Sequence, residues 1–162
     1  MKHLRRHRNA RSARVSEDRL ELLRGLPIFA HYADADLEAV DALLCDRDLA
    51  PGTVVMSEGQ PGREAFIVVT GTAEIRVAGE VIAYATAGDM VGEMSLLDAH
   101  PRSATVMALT PMTILVMAPS EFATLLGDPR TAMWIATSLS NRLRDVEHPV
   151  VLAQSSNSSR FG

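Results

Sequence analysis

Apolar and polar positions in this chain follow two periods, and the period changes twice. Near the start, hydrophobic residues recur three or four apart. Ser16 can cap the free N–H groups of E17-D-R-L-E-L-L-R24, and Gly25 ends that run, which predicts a short helix. A second helix begins near Asp34, with Leu37, Val40, Leu43 and Leu44 on the face that packs against the rest of the fold. Pro51-Gly52 breaks the pattern. From Thr53 to Met117 the chain turns to short β-branched runs: T53-V-V-M56, F66-I-V-V-T70, A73-E-I-R-V77, V81-I-A-Y84, T105-V-M-A-L109 and T113-I-L-V-M117. Glycine and proline separate them, the signature of a β-barrel or sandwich. Ala78-Gly79 predicts a tight hairpin. The alternation in A73-E-I-R-V77 predicts Glu74 and Arg76 pointing outward.

After Pro119 the helical period returns in S120-E-F-A-T-L-L126, closed by Gly127. A longer helix follows, with Asp128 as cap, Pro129 at the first helical position and Pro149 as its stop. Along it Ala132, Ala136, Leu139, Leu143 and Val146 form an apolar stripe for packing on the barrel or on a twin helix. Trp134 is read as core packing. The architecture is therefore mostly β with flanking α, in the order helix, helix, barrel, helix, helix, with no internal repeat.

Composition limits the function classes. A chain of 162 residues with 47% hydrophobic and 22% charged content fits one globular domain, placed over residues 16–148. Cys45, the lone cysteine, follows Ala42, Leu43 and Leu44 and is expected to be a small buried hydrophobe rather than a nucleophile. No apolar run approaches the ~20 residues that cross a bilayer, and the N-terminus lacks the apolar centre of a secretory signal. A cytoplasmic protein is the expectation. The net charge is −4, yet Lys2, Arg5, Arg6, Arg8, Arg11 and Arg14 all precede the first acid, Glu17. Such an arm attracts phosphate-rich partners. Lacking aromatic residues for base stacking, residues 1–15 are expected to be a disordered basic arm, and nucleic-acid binding is not expected. Residues 149–162, polar and serine-rich, are read as a second disordered tail.

One interruption of the β region is unlike a turn. The segment G92-E-M-S-L-L-D98 can form one or two helical turns whose leading N–H groups, that of Ser95 among them, are open to an anion. Gly92 lets a ligand approach the backbone. Nine residues after Glu93 comes Arg102, fixed behind Pro101, with a guanidinium that can grip two phosphate oxygens. Ser103 adds a hydroxyl. A carboxylate beside a phosphate site must serve another part of the ligand, and a ribose 2′-hydroxyl suits an acceptor-only group. A ligand with one negative charge, a cyclic phosphodiester, fits a single arginine without lysine and magnesium. Structural alternatives exist: Glu93 capping its own helix, or Arg102 paired with Glu93, Asp98 or Asp89.

The run V91-G-E-M-S-L-L-D-A-H-P-R-S-A-T-V106 closely resembles the phosphate-binding cassette of the cyclic-nucleotide-binding domain family, and E58-G-Q-P-G-R-E-A-F-I-V-V-T-G71 has that family's glycine and aromatic spacing. The resemblance covers about Leu20 to His148. It implies an eight-stranded jelly-roll flanked by helices, with Glu93 on the ribose and Arg102 and Ser103 on the phosphate. Gly92, Met94, Ser95 and Ala104 would line the cassette. The last helix would cover the base, with Val91, Arg142, Leu143, Arg144, Val146 and Glu147 as candidate base or lid contacts. The implied ligand is cyclic AMP or cyclic GMP, with cyclic AMP favoured and no metal. The implied role is that of a sensor, not an enzyme, signalling through movement of its last helix. No effector is recognisable beyond Pro149, so the output is expected to pass to a second copy or to an effector protein in trans.

Three rival readings remain on the sequence. A cupin-like metal enzyme on a similar barrel needs clustered histidines, and His3, His7, His31, His100 and His148 include no strand pair at alternating spacing. A DNA-binding protein using the basic arm would need a recognition helix. A degenerate, ligand-free domain would more often have lost Glu93 or Arg102, and both are present.

Overall fold

A computed structural model describes residues 17–147, apart from the side chains of Val146 and Glu147. The arm, the tail, and with them Ser16, His148 and Pro149, lie outside the described residues. The chain opens with helices α1 (Glu17–Arg24) and α2 (Asp34–Asp41), separated by a 3₁₀ turn at Pro27–Phe29. Strands follow as β1 (Cys45–Leu49), β2 (Val54–Met56), β3 (Ala65–Thr70), β4 (Ala73–Val77), β5 (Glu80–Ala85) and β6 (Met90–Val91). Then come α3 (Glu93–Asp98), β7 (Thr105–Ala108), β8 (Met112–Met117), α4 (Pro119–Leu126) and α5 (Pro129–Glu147). The eight strands form two antiparallel four-stranded sheets, β1-β8-β3-β6 and β2-β7-β4-β5. This is the expected jelly-roll, with its sheets separate rather than closed into a barrel.

The central strands of the first sheet, β3 and β8, are buried on both faces. Phe66 and Val68 of β3, Val91 of β6, and Ile114 and Val116 of β8 face the second sheet, where Val106 and Ala73 complete the inner core. Ala65, Ile67, Leu115 and Met117 point the other way, against Leu23, Ile28, Phe29, Leu37, Phe122 and Ile135 of the helical layer. Double-sided burial explains why β3 and β8 read as unbroken apolar runs. The hairpin at Ala78-Gly79 is present, with both residues at positive φ (51° and 84°), the geometry of a tight turn between twisted strands. Glu58 Oε2 accepts the Ala78 N–H at 2.8 Å and braces it.

Several expectations are corrected. Cys45 is exposed, because it opens edge strand β1 rather than continuing α2, which stops at Asp41. That strand, Cys45-Asp-Arg-Asp-Leu49, carries charges on an edge, a pattern that discourages pairing with other chains. Glu74 is only 5% exposed. Its neighbours across the sheet are Tyr84 and Met107, and Arg76 Nε donates to its carboxylate at 2.6 Å, so an outer-face residue is covered by its own neighbours. On α5 the buried positions are Thr131 and Ile135, with Trp134 and Leu139 packed against the core. Ala136 is exposed and Leu143 is 64% exposed while Leu139 packs on the core, so the apolar stripe divides between the core and the surface. Thr131 takes a core position because its hydroxyl is bonded, to Tyr32 Oη at 2.8 Å and His31 Nε2 at 3.3 Å.

The start of α5 is held firmly. Asp128 Oδ1 accepts the N–H groups of Arg130 (2.8 Å) and Thr131 (3.1 Å), the expected cap. Among the described residues, no helix is long and apolar enough to cross a membrane.

Candidate functional site

The site is built where β6 ends and α3 begins. Gly92 holds the junction at φ 83°, and a Cβ there would stand 2.7 Å from Arg102 Nη1 and 3.0 Å from the Glu64 carbonyl oxygen. Glycine is thus required twice, for the backbone angle and for the space. At the other end of α3, Ala99 also takes a left-handed angle (φ 57°), and Asp98 Oδ1 accepts the His100 N–H at 3.0 Å. The chain then reverses through Pro101 to deliver Arg102 beneath the helix.

Arg102 is fixed at both ends. Its N–H donates to Gln60 O and its carbonyl accepts from Gly59 N–H, each at 2.8 Å. Its guanidinium donates from Nη1 to Gly92 O at 2.9 Å and from Nη2 to Glu64 O at 2.8 Å, while Cζ lies 5.6 Å from the centre of the Phe66 ring. The residue is 6% exposed. Burial pushes its pKa down from the usual arginine range, against the attraction of Glu64 and Glu93. The sequence alternative of pairing with Glu93, Asp98 or Asp89 is not realised: the guanidinium bonds neutral carbonyls instead. A buried cation held this way has its charge left over for a ligand anion.

Glu93, 1% exposed, sits on the first turn of α3. Gly92 is the cap position, and no side chain caps the helix, so Glu93 does not serve as a cap. Arg142 of α5 donates from Nη2 to Glu93 Oε1. The second oxygen, Oε2, is buried with no partner. Burial raises the Glu93 pKa above the usual carboxylate range, opposed first by the charge of Arg142 and also by that of Arg102.

Other expected residues fall on both sides of the line. Ser95 and Ala104 are buried, Ser95 near Arg102 around Gly62, and Val91 is buried in the inner core. Ser103 is exposed, its hydroxyl directed at Met94 Sδ 3.8 Å away, and Met94 is itself exposed. Of the lid candidates, the structure brings Arg142 to Glu93, whereas Leu143 and Arg144 are exposed. The side chains of Val146 and Glu147 lie outside the described ones.

Three contributors were not named from the sequence. Gly62 lies so close that a Cβ there would meet Arg102 Cζ, Arg102 Nε and Ser95 Cβ at 2.7 Å each. Phe66 supplies the ring beneath the guanidinium, and Glu64 acts through its carbonyl. The G59-Q-P-G62 spacing was the available signal for the first, and a carbonyl leaves none. A cavity of about 470 Å³ opens beside Arg102, bounded by Val55, Met56, Ser57, Gln60 and Phe66, within the size range of small-ligand sites. Glu93 is not in its wall; Arg142 covers it. Among the described residues no group of three or more His, Cys, Asp or Glu could hold a metal ion.

A two-sheet frame interrupted by a short helix, with a buried guanidinium and a buried carboxylate side by side, defines a domain that captures a small anionic ligand. The sequence model of the cyclic nucleotide-binding domain matches residues 46–128, and the chain belongs to that family. The family is a regulatory binding domain, not a catalyst. Among particular relatives, the chain is 34% identical over 107 residues to the cAMP-dependent protein kinase regulatory subunit of Yarrowia lipolytica, covering 65% of this chain and 28% of that one. The solved cAMP-bound PfPKA-R superposes with a TM-score of 0.72 at 25% identity, over 79% of this chain and 45% of that one. A cyclic nucleotide-binding domain from Methylobacillus flagellatus has the same fold, with a TM-score of 0.70 at 22% identity over 83% of this chain and 81% of that one. The chain therefore spans less than a third of the length of its kinase-subunit relative.

Proposed function

We propose that this chain binds a cyclic mononucleotide, cyclic AMP in preference to cyclic GMP, and reports it through the position of α5. The phosphodiester lies on Arg102, with Ser103 and the open N–H groups at the start of α3, that of Ser95 among them. The ribose 2′-hydroxyl donates to Glu93. The observation that carries this reading is a buried guanidinium bonded to neutral carbonyls next to a buried carboxylate with one oxygen unpartnered. One cation and one acceptor match a ligand with one phosphodiester charge and one free hydroxyl. The preference for cyclic AMP is supported by the kinase subunit and the PfPKA-R structure, both named for that nucleotide.

Output passes to a second copy or to an effector in trans. Met133 and Leu143 stand 67% and 64% exposed on α5, apolar positions through which another protein can read where the helix lies.

Calorimetric titration with both nucleotides tests the reading, and micromolar or tighter affinity is expected. Arg102→Ala leaves a buried phosphate without its cation and should cost about 2–5 kcal/mol of binding. Glu93→Ala should cost less, and mainly for ligands that have the 2′-hydroxyl. Absence of binding to both nucleotides overturns the proposal.

A further inference from the structure

Glu93 divides its two oxygens between different masters. Oε1 is engaged by Arg142, which reaches it from α5 across 49 positions of chain, while Oε2 is enclosed and unpartnered. A carboxylate buried to 1% exposure tends to take up a proton, because the charged form is poorly solvated. Once protonated, it is no longer an acceptor at every site, and its value for a hydroxyl donor falls. The groups that face it are Arg142 from α5, Arg102 from the loop after α3, and its own backbone N–H. Of the two cations, Arg102 spends its hydrogen bonds on Gly92 and Glu64 carbonyls. Arg142 alone both bonds the carboxylate and belongs to the helix proposed above to report the ligand.

Resting on the nucleotide reading above, we propose that Arg142 is the positioning residue of the ribose subsite. By holding Oε1 from the lid helix, it favours the ionised form of Glu93 and turns the carboxylate so that Oε2 is the acceptor offered to a 2′-hydroxyl. Ribose recognition and the docked position of α5 are then one event. A ligand with the hydroxyl satisfies Oε2 and leaves Oε1 to the Arg142 pair when α5 docks over it again, so both contacts favour the same helix position. A 2′-deoxy ligand leaves Oε2 orphaned and gains less from a docked α5.

The test compares cyclic AMP with 2′-deoxy cyclic AMP on the whole chain, in wild type, Arg142→Gln and Arg142→Lys, between about pH 8 and pH 5.5, a range above the ordinary glutamate pKa. In wild type the deoxy analogue should bind about tenfold more weakly, the loss of one hydrogen bond to a charged acceptor. In Arg142→Gln that discrimination should shrink. Affinity for cyclic AMP should also fall with decreasing pH more steeply than in wild type, because Glu93 without its cation protonates earlier. The deoxy analogue should show no such extra pH dependence, and Arg142→Lys should restore the wild-type profile. A merely structural Arg142 would weaken both ligands equally at every pH. Wild-type discrimination and pH profile retained in Arg142→Gln would overturn the inference while leaving the nucleotide reading intact. If wild type bound neither nucleotide, both would fall.

Discussion

At Gly92 one missing side chain holds the site together. The residue sits at φ 83° with Arg102 Nη1 2.7 Å from where a Cβ would be. Gly92→Ala should therefore act twice. The left-handed angle costs about 1–2 kcal/mol of stability, readable by urea unfolding. The added methyl also pushes the guanidinium off its carbonyl partners, so cyclic-nucleotide affinity should drop by more than the stability loss alone explains. Unchanged affinity in a folded Gly92→Ala protein would show that the guanidinium does not need its present seat. Legibility at this scale follows the chemistry of side chains. Glu93 and Arg102 stood out in the sequence because a carboxylate and a guanidinium announce what they can bind. Gly62 was visible only as a glycine in a glycine-rich stretch, and the Glu64 carbonyl could have come from any residue.

Among the elements, α5 is where sequence and structure diverge most usefully. Its start was legible, since Asp128-Pro129 is a cap followed by a residue suited to the first turn. Its inward face was not. Thr131 is polar and buried, and Arg142 is charged and turned inward to Glu93, so a count of apolar residues selects the neighbouring stripe. The strands sort by the same logic. β3 and β8, enclosed on two faces, were plain in the sequence; β1 was hidden by its charges, and β6 is two residues long. Hydrogen bonds from the Thr131 and Arg130 N–H groups hold the Asp128 carboxyl below its usual pKa. A depressed acid contributes stability above its unfolded pKa and loses it as pH falls through the folded value. Asp128→Ala should accordingly lower the Tm by about 3 °C near neutral pH. The difference from wild type should shrink in acid below the folded pKa of Asp128, where only the neutral carboxyl is left to accept the N–H groups. A gap undiminished there would mean the cap acts through something other than its charge.

Over the whole molecule, one sheet serves as a shared wall. Its inner face packs on the second sheet and its outer face carries the helices, so the inner core and the helical layer are separated by a single thickness of β-structure. The sequence conveyed the layers through their periods, but not that α5 would return to the cassette, since nothing local links Arg142 to Glu93. That return has a consequence in time rather than in energy. On the proposed reading, with Glu93 enclosed beneath Arg142, nucleotide would complete its contacts only after the end of α5 lifts, an event of the protein alone. Rapid-mixing experiments should show an association rate that rises with nucleotide concentration and then levels off at the frequency of helix opening; a rate that climbs linearly throughout would mean the entrance stands open. A domain gated in this way would respond to a sustained rise in its messenger and pass over pulses briefer than its own breathing.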